Sequence, residues 1–261
     1  MTDNPLDPVA AGRLAEVAKV FTSDLSVAEF TLLHHSGFDP LELVMGTSVF
    51  HIGFQPPRGL QSGEFQVLTQ AMYTARSNAM GRMQAEADAV DADGVVGVRL
   101  IWRQHGVSPE HIEFIAIGTS VRHRENPGAF KRPSGQAFSS HLSGHELYQL
   151  MLTGWAPVAF VMGTCVYHVA PQGFMQTLSQ IGRNVEMPQW TQAYYEAREA
   201  AMTRMQAEAE RDQAHGVVGV NVDVSEWVWG AHTLEFYASG TAVRRSGEAS
   251  PDVPPLTVPL T

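Results

Sequence analysis

The spacing of hydrophobic positions changes in a set order along this chain, and the whole order occurs twice. Leu43 to Ile52 is rich in β-branched and aromatic residues and predicts a strand. Met72, Arg76, Ala79, Met80, Met83, Ala87 and Val90 then recur at three- and four-residue steps, the period of a helix. Val95 to Trp102 and His111 to Val121 predict a hairpin around a turn containing Gly106 and Pro109. The second half predicts a strand from Phe160 to Val169 and a helix carrying Tyr194, Ala201, Met202, Met205 and Ala209. Its hairpin strands are Val217 to Val224 and Leu234 to Val243. Pro188 suits the first turn of the second helix, where a missing N–H costs nothing. The two helices are expected to stop near Asp93-Gly94 and His215-Gly216. Alternation predicts that Val218, Val220, Val222 and Val224 join Leu234, Phe236 and Ala238 under the helix. Asn221 and Asp223 then join Thr233, Glu235, Tyr237 and Ser239 on the other face.

The repetition is literal as well as periodic. Phe21-Thr22-Ser23-Asp24-Leu25-Ser26 returns as Phe138-Ser139-Ser140-His141-Leu142-Ser143, and Met45 to His51 returns as Met162 to His168, both 117 positions on. Arg82 to Ala87 returns as Arg204 to Ala209, and Gly94 to Val98 as Gly216 to Val220, both 122 positions on. Ser26-x-x-Glu29 and Ser143-x-x-Glu146 have the form of capping boxes, each opening a short helix that Gly37 or Gly154 can end. The expected organisation is a helical prefix (1–20), a first domain (21–124), a turn-rich linker (125–137), a second domain (138–245) and a Pro-rich tail (246–261). Pro8 to Val20 of the prefix is Ala-rich and predicts a short helix. The expected fold class is α+β: a tandem β-α-β-β unit, its long helix packed on a three-stranded sheet, each unit preceded by a short capped helix.

Composition narrows the possible roles. The length suits two domains of about 100 residues, and 44% apolar residues allow each a modest core. A formal charge of −10 argues against nucleic acid or an anionic membrane as partner, since both need clustered Lys and Arg. Cys165 stands alone, which excludes an internal disulfide and a thiolate-rich metal site. No signal peptide is visible, and the longest apolar run, Pro157 to Ala170, is too short to span a bilayer. A cytoplasmic protein is expected.

A three-stranded sheet under one helix has two open edges, and Ile101, Ile115 and Ile117 make its far face partly apolar. No row of edge lysines blunts those edges. Copies are therefore expected to pair edge to edge, within the chain and between chains, as a homo-oligomer.

Several residues could carry chemistry. His51 and His168 repeat in register and follow Gly-Thr-x-Val-aromatic on a strand. They read as metal ligands or proton carriers, or as structural histidines at a domain interface. Asp223 and Glu235 share a face of adjacent strands; paired in register they would lie roughly 5 Å apart. With Asn221 they would form an oxygen-rich site for a divalent cation, or else a solvated or Arg-paired cluster. Copy one weakens the site, since Ile101 stands where Asp223 does. Arg76 and Arg198, like Arg82 and Arg204, match in register and suggest helix-surface ion pairs with Glu86 or Glu208, or an anion site. Trp227 and Trp229 near the second hairpin tip suit subunit packing or a stacked flat ligand. Gly46, Gly163, Gly97 and Gly219 within strands suggest bulges or close backbone approach. Cys165 replaces Ser48, which marks its thiol as packing rather than nucleophile. No phosphate-loop, Gly-x-Ser-x-Gly or His-Glu-x-x-His pattern occurs.

Ala197-Arg198-Glu199-Ala200, Gly216 to Asp223 and Gly240-Thr241-Ala242-Val243 resemble the YbjQ-like family, and copy one keeps Ala75-Arg76, Gly94 to Val98 and Gly118 to Val121. The resemblance covers both copies. It implies small α+β domains, broadly like dodecin subunits, that assemble into fivefold rings; the family carries a heavy-metal-binding label and no established activity. This chain departs from the simplest members in having two domains, an added Phe-x-Ser-x-Leu-Ser segment before each, and no cysteine cluster. The expectation is a non-enzymatic, ring-forming structural or small-ligand-binding protein. The alternative is a metal-binding protein using His51, His168, Asp223 and Glu235.

Overall fold

A computed structural model describes residues 6–16, 20–53, 61–104, 111–170, 186–226 and 232–247. Trp227 and Trp229, His105 and Val107, the turn at Gly106 and Pro109, and the tail beyond Gly247 lie outside the described residues. The first half contains α1 (Pro8–Glu16), α2 (Val27–His35), β1 (Phe38–His51), β2 (Gly63–Glu64), α3 (Gln66–Ala89), β3 (Gly94–Gln104) and β4 (His111–His123). The second contains β5 (Phe138–Ser139), α4 (Gly144–Leu152), β6 (Trp155–His168), α5 (Pro188–Arg211), β7 (Gly216–Glu226) and β8 (Thr233–Arg245).

Local chemistry sets these limits. Ser26 and Ser143 each accept from the backbone N–H three residues on, while Glu29 and Glu146 reach back to the cap, so both capping boxes form. Gly37 and Gly154 follow at φ +86° and +77°. The chain turns there directly into β1 and β6, which begin earlier than the apolar pattern predicts. The long helices end earlier than predicted, at Ala89 and Arg211. Asp91 and Gln213, not the following glycines, take the left-handed conformation at φ 51° and 57°.

Each half builds three long antiparallel strands, in the orders β1-β4-β3 and β6-β8-β7. Each sheet then gains a fourth, two-residue strand from the other half. β5 pairs in parallel with the start of β3, and β2 pairs with the end of β6. Two of the four edges are thus covered by borrowed strands rather than by edge-to-edge pairing of the long ones. Among the described residues, no strand pairs with the outer edges of β1 and β7.

A helix packs on each sheet at very short range. A Cβ on Gly46 would lie 2.1 Å from the Ala79 carbonyl oxygen, and one on Gly163 would lie 1.9 Å from that of Ala201. These glycines let α3 and α5 settle onto β1 and β6, with Ala75, Ala79 and Met83, or Ala197, Ala201 and Met205, in the contact. Gly97 and Gly219 sit at φ +63° and +60° where the β3–β4 and β7–β8 registers slip. That bulge corrects the predicted alternation. Val95 joins the helix-side core while Val96 faces away from it. By the same slip Val217, not Val218, packs toward α5. Val222 and Val224 do pair with Ala238 and Phe236 as predicted, yet both stay exposed on the open edge.

Gly163→Ala should force α5 off its sheet and cost about 3 kcal/mol, a typical overpacking penalty. A thermal melt would show it as a large drop in Tm.

Candidate functional site: the joint between the halves

The most elaborate polar arrangement in the chain lies between its two halves. It begins with packing. Helix α3 touches its own β1 and also the far face of β6, so that Val166 of β6 belongs to the first half's core. The far face of the second sheet, the one turned away from α5, is covered by the helix of the other unit. A third core, of Leu33, Phe38, Val96 and Val121 from one half and Phe138 and Leu147 from the other, closes the opposite side of the joint.

Polar ties fix the register of this contact. Arg76 of α3 donates to Glu235 of β8 at 2.7 Å, and Thr164 of β6 donates to the same oxygen at 2.7 Å. Both charged side chains are about 95% buried. The Arg76 guanidinium also lies 4.3 Å from the Tyr237 ring and 5.0 Å from that of Phe114. Tyr73 donates to Glu208, whose other oxygen accepts from the Met162 N–H at 2.8 Å. Arg204 reaches back to Glu64 at 2.8 Å. The backbone contributes as well: Phe65 N–H donates to the Val166 carbonyl, and Val166 N–H donates to the Thr69 hydroxyl. Burial pushes the Glu208 carboxyl up to about 7, against the Met162 N–H, which favours its ionised form.

Two hollows flank this joint. One of about 230 Å3 is lined by Arg76, Trp102, Phe114, Asn221, Asp223 and Tyr237. A wider cleft of about 840 Å3 runs between the long helices past Glu64, Tyr73, Arg204 and Glu210.

The sequence-derived candidates fall around the joint without converging on one another. Glu235 stands opposite Ser225, and Asp223 stands opposite Tyr237, so the two carboxylates are diagonal neighbours rather than a facing pair. Glu235 is neutralised by Arg76, and Asp223 stays at the rim. His168 is buried beside the Phe65 ring at 5.6 Å, with its Nε2 lacking a partner among the described residues. His51 is exposed, 5.0 Å from the His111 ring. Among the described residues neither Arg76 nor Arg82 pairs with Glu86, and neither Arg198 nor Arg204 pairs with Glu208. Glu86 and Glu208 instead turn inward to accept the backbone N–H groups of Met45 and Met162, an arrangement that helical spacing alone does not suggest. Arg198 pairs with its neighbour Glu199. Cys165 is buried and its thiol is pushed up to about 12 by that burial, which leaves it inert at neutral pH.

Among the described residues, no three His, Cys, Asp or Glu side chains are grouped to hold a metal ion. A soft metal prefers thiolate, and one inert thiol does not fit it. No described helix is long and apolar enough to cross a membrane.

Two copies of one α+β unit, locked by a buried charge pair, define a tandem-domain protein whose elaborate surface is its internal joint. A family model described as "Putative heavy-metal-binding", YbjQ, matches residues 25–124 and 157–246, and the chain belongs to this family. An encapsulin nanocompartment protein of Mycobacterium tuberculosis, Rv1762c, is 62% identical over 260 residues, spanning 100% of this chain and 99% of its own length. A UPF0145 protein of Halorubrum lacusprofundi is 40% identical over 67 residues, 26% of this chain and 62% of its own. Another, of Bifidobacterium longum, is 29% identical over 101 residues, 39% of this chain but 92% of its own. That relative has the length of one unit.

Removing one partner of the Arg76–Glu235 pair strands a buried charge. Glu235→Ala should cost about 3 to 5 kcal/mol, readable by denaturant titration. The raised Glu208 group acts on stability with a definite sign. Its folded-state value lies above the ordinary carboxyl value of 4.5, so the folded state holds its proton more tightly. Its contribution is therefore complete below about pH 4.5 and is lost as pH rises through about 7. Glu208→Gln should flatten that decline in a series of melts between pH 4.5 and 8.

Proposed function

We propose that this chain is a non-enzymatic structural subunit that assembles with copies of itself and serves a protein nanocompartment, as the name of its Mycobacterium tuberculosis relative says of that protein. The observation that carries this reading is where the chain's buried charge pair lies. Arg76 and Glu235 meet between two like units, and the surrounding hydroxyl, carboxylate and backbone groups hold one unit against the next. Groups tied into such a joint serve cohesion. The similarity that spans the whole length of both chains supports carrying a structural role across. A fivefold ring, as the family resemblance implies, is the closed form to look for, in the cytoplasm and with no nucleic acid or membrane as partner.

A second reading has one observation in its favour. The buried His168 Nε2 has no partner among the described residues, and an imidazole so placed could take a divalent ion. His51, Asp223 and Glu235, the other residues the sequence singles out, do not converge on it among the described residues.

Native mass spectrometry of the purified protein separates these readings. Self-assembly predicts one dominant species at a whole-number multiple of the 28.5 kDa chain, without bound metal. A monomer at every concentration overturns it, and a stoichiometric metal adduct transfers support to the second reading.

A further inference from the structure

We infer that one chain docks onto the next through a second, intermolecular version of its internal joint, with Phe21 to Leu25 of one copy laid along the β7 edge of another. The inference rests on the self-assembly proposed above and specifies the surface that performs it.

The internal joint uses two unlike faces. The first unit offers the β3 edge, the outer side of α3 and β2. The second offers the segment Phe138 to Leu142 and the far face of β6 and β8. Because the units are copies, the chain also carries each face a second time at its two ends, uncovered among the described residues except where Arg13 of α1 reaches Glu42 and Glu86. The β7 edge and the outer side of α5 repeat the first face. Phe21 to Leu25 and the far face of β1 and β4 repeat the second.

Glycine gives the sharpest comparison. A Cβ on Gly94 would lie 2.1 Å from the ring of Phe138, so only glycine lets that ring seat. Its counterpart Gly216 is also glycine, at a position where a Cβ would meet nothing within 4 Å. The ring that would need this space is the counterpart of Phe138, namely Phe21. Phe138 is fully buried, whereas Phe21 is 49% exposed. Phe21 stacks on Phe30, the counterpart of Leu147, so the plug is already formed. Its socket would be completed by Leu150, Trp155, Val218 and Val243, the counterparts of Leu33, Phe38, Val96 and Val121.

The edge tells the same story. Phe138 N–H and Ser140 N–H donate to the Asp93 and Val95 carbonyls, and the Ser140 carbonyl accepts from Val98 N–H, all at 2.9 Å. Val98 is 2% exposed under this cover, while its counterpart Val220 is 42% exposed. The donor segment is held ready at the other end of the chain. Ser23 and the Asp24 N–H bond the Thr119 hydroxyl just as Ser140 and the His141 N–H bond that of Thr241. β-Augmentation of an open edge by an extended segment is an established mode of docking.

The polar ties recur residue for residue. Arg76–Glu235 has the counterpart Arg198 with Glu113; Arg204–Glu64 has Arg82 with Glu186; Tyr73–Glu208 has Tyr195 with Glu86. The acceptor hydroxyl Thr69 has its counterpart in Thr191. Arg198 and Tyr195 are exposed, and Val49, the counterpart of the wholly buried Val166, is 52% exposed. Two departures exist: Ile115 stands where Tyr237 covers Arg76, and Glu86 is already engaged. Arg13 of α1 already binds Glu86, but through Oε2, the oxygen that also takes the Met45 N–H. Tyr73 uses the other oxygen of Glu208, Oε1, and the matching oxygen of Glu86 takes neither of these donors. Since the two faces are unlike, each copy offers one to either neighbour, and the contact is head to tail.

The test compares variants with the wild-type chain by sedimentation or light scattering. Gly216→Val adds a side chain whose Cβ meets nothing within 4 Å among the described residues and which fills the seat of Phe21. It should abolish assembly and leave the melting of the separate chain unchanged. Arg198→Glu and Glu113→Arg should each raise the concentration for half-assembly by roughly 100-fold, and the double variant should recover most of that loss. A Gly216→Val protein that assembles like wild type, or a double variant no better than its parents, overturns this joint while leaving self-assembly standing. A wild-type chain that never associates overturns the assembly itself.

Discussion

One arginine inside the protein constrains everything around it. Arg76 sits between two sheets, about 95% removed from water, and a charge so placed is tolerated only beside an opposite charge with its remaining donors engaged. Glu235 supplies the charge, Thr164 shares the carboxylate, and the faces of Phe114 and Tyr237 enclose the guanidinium. These groups come from both halves of the chain. The halves therefore cannot slide by a residue or tilt apart without exposing or stranding an ion. Apolar packing supplies the cohesion of the joint, and the ion pair specifies its single geometry.

The same economy of contact explains why the helices are poor in large side chains. α3 has a sheet on either side of it. Alanine and methionine on one face, with glycine on the strand beneath, bring its axis close to β1. That closeness leaves room on its other side for the sheet of the second unit. A bulkier helix would hold the two sheets too far apart for Arg76 to reach Glu235.

Much of the unit was legible in the residue pattern. The duplication, the capping boxes, the left-handed Gly37 and Gly154, and the order strand, helix, hairpin all follow from short-range physics that each segment carries in itself. Alternation failed at Gly219 because one bulged residue reverses the parity of the strand, and a period-two pattern of valines conceals that reversal. The ion pairs escape the sequence pattern for a different reason. Spacing along a helix brings Arg76 near its own neighbours, whereas its actual partner lies 159 positions away in another copy of the fold. Arg76, Glu235, Tyr73 and Glu208 all recur in register, and those four matches were the available signal. The borrowed strands β2 and β5 are two residues long and carry no periodicity, so no local pattern marks them.

The glycine bulge in β3 has an effect on how stress passes through the molecule. By shifting parity it sends Val95 into one hydrophobic interior and the very next residue, Val96, into another. A single strand is therefore a shared wall between two compartments. Any shift of this strand that loosens one compartment also moves the other.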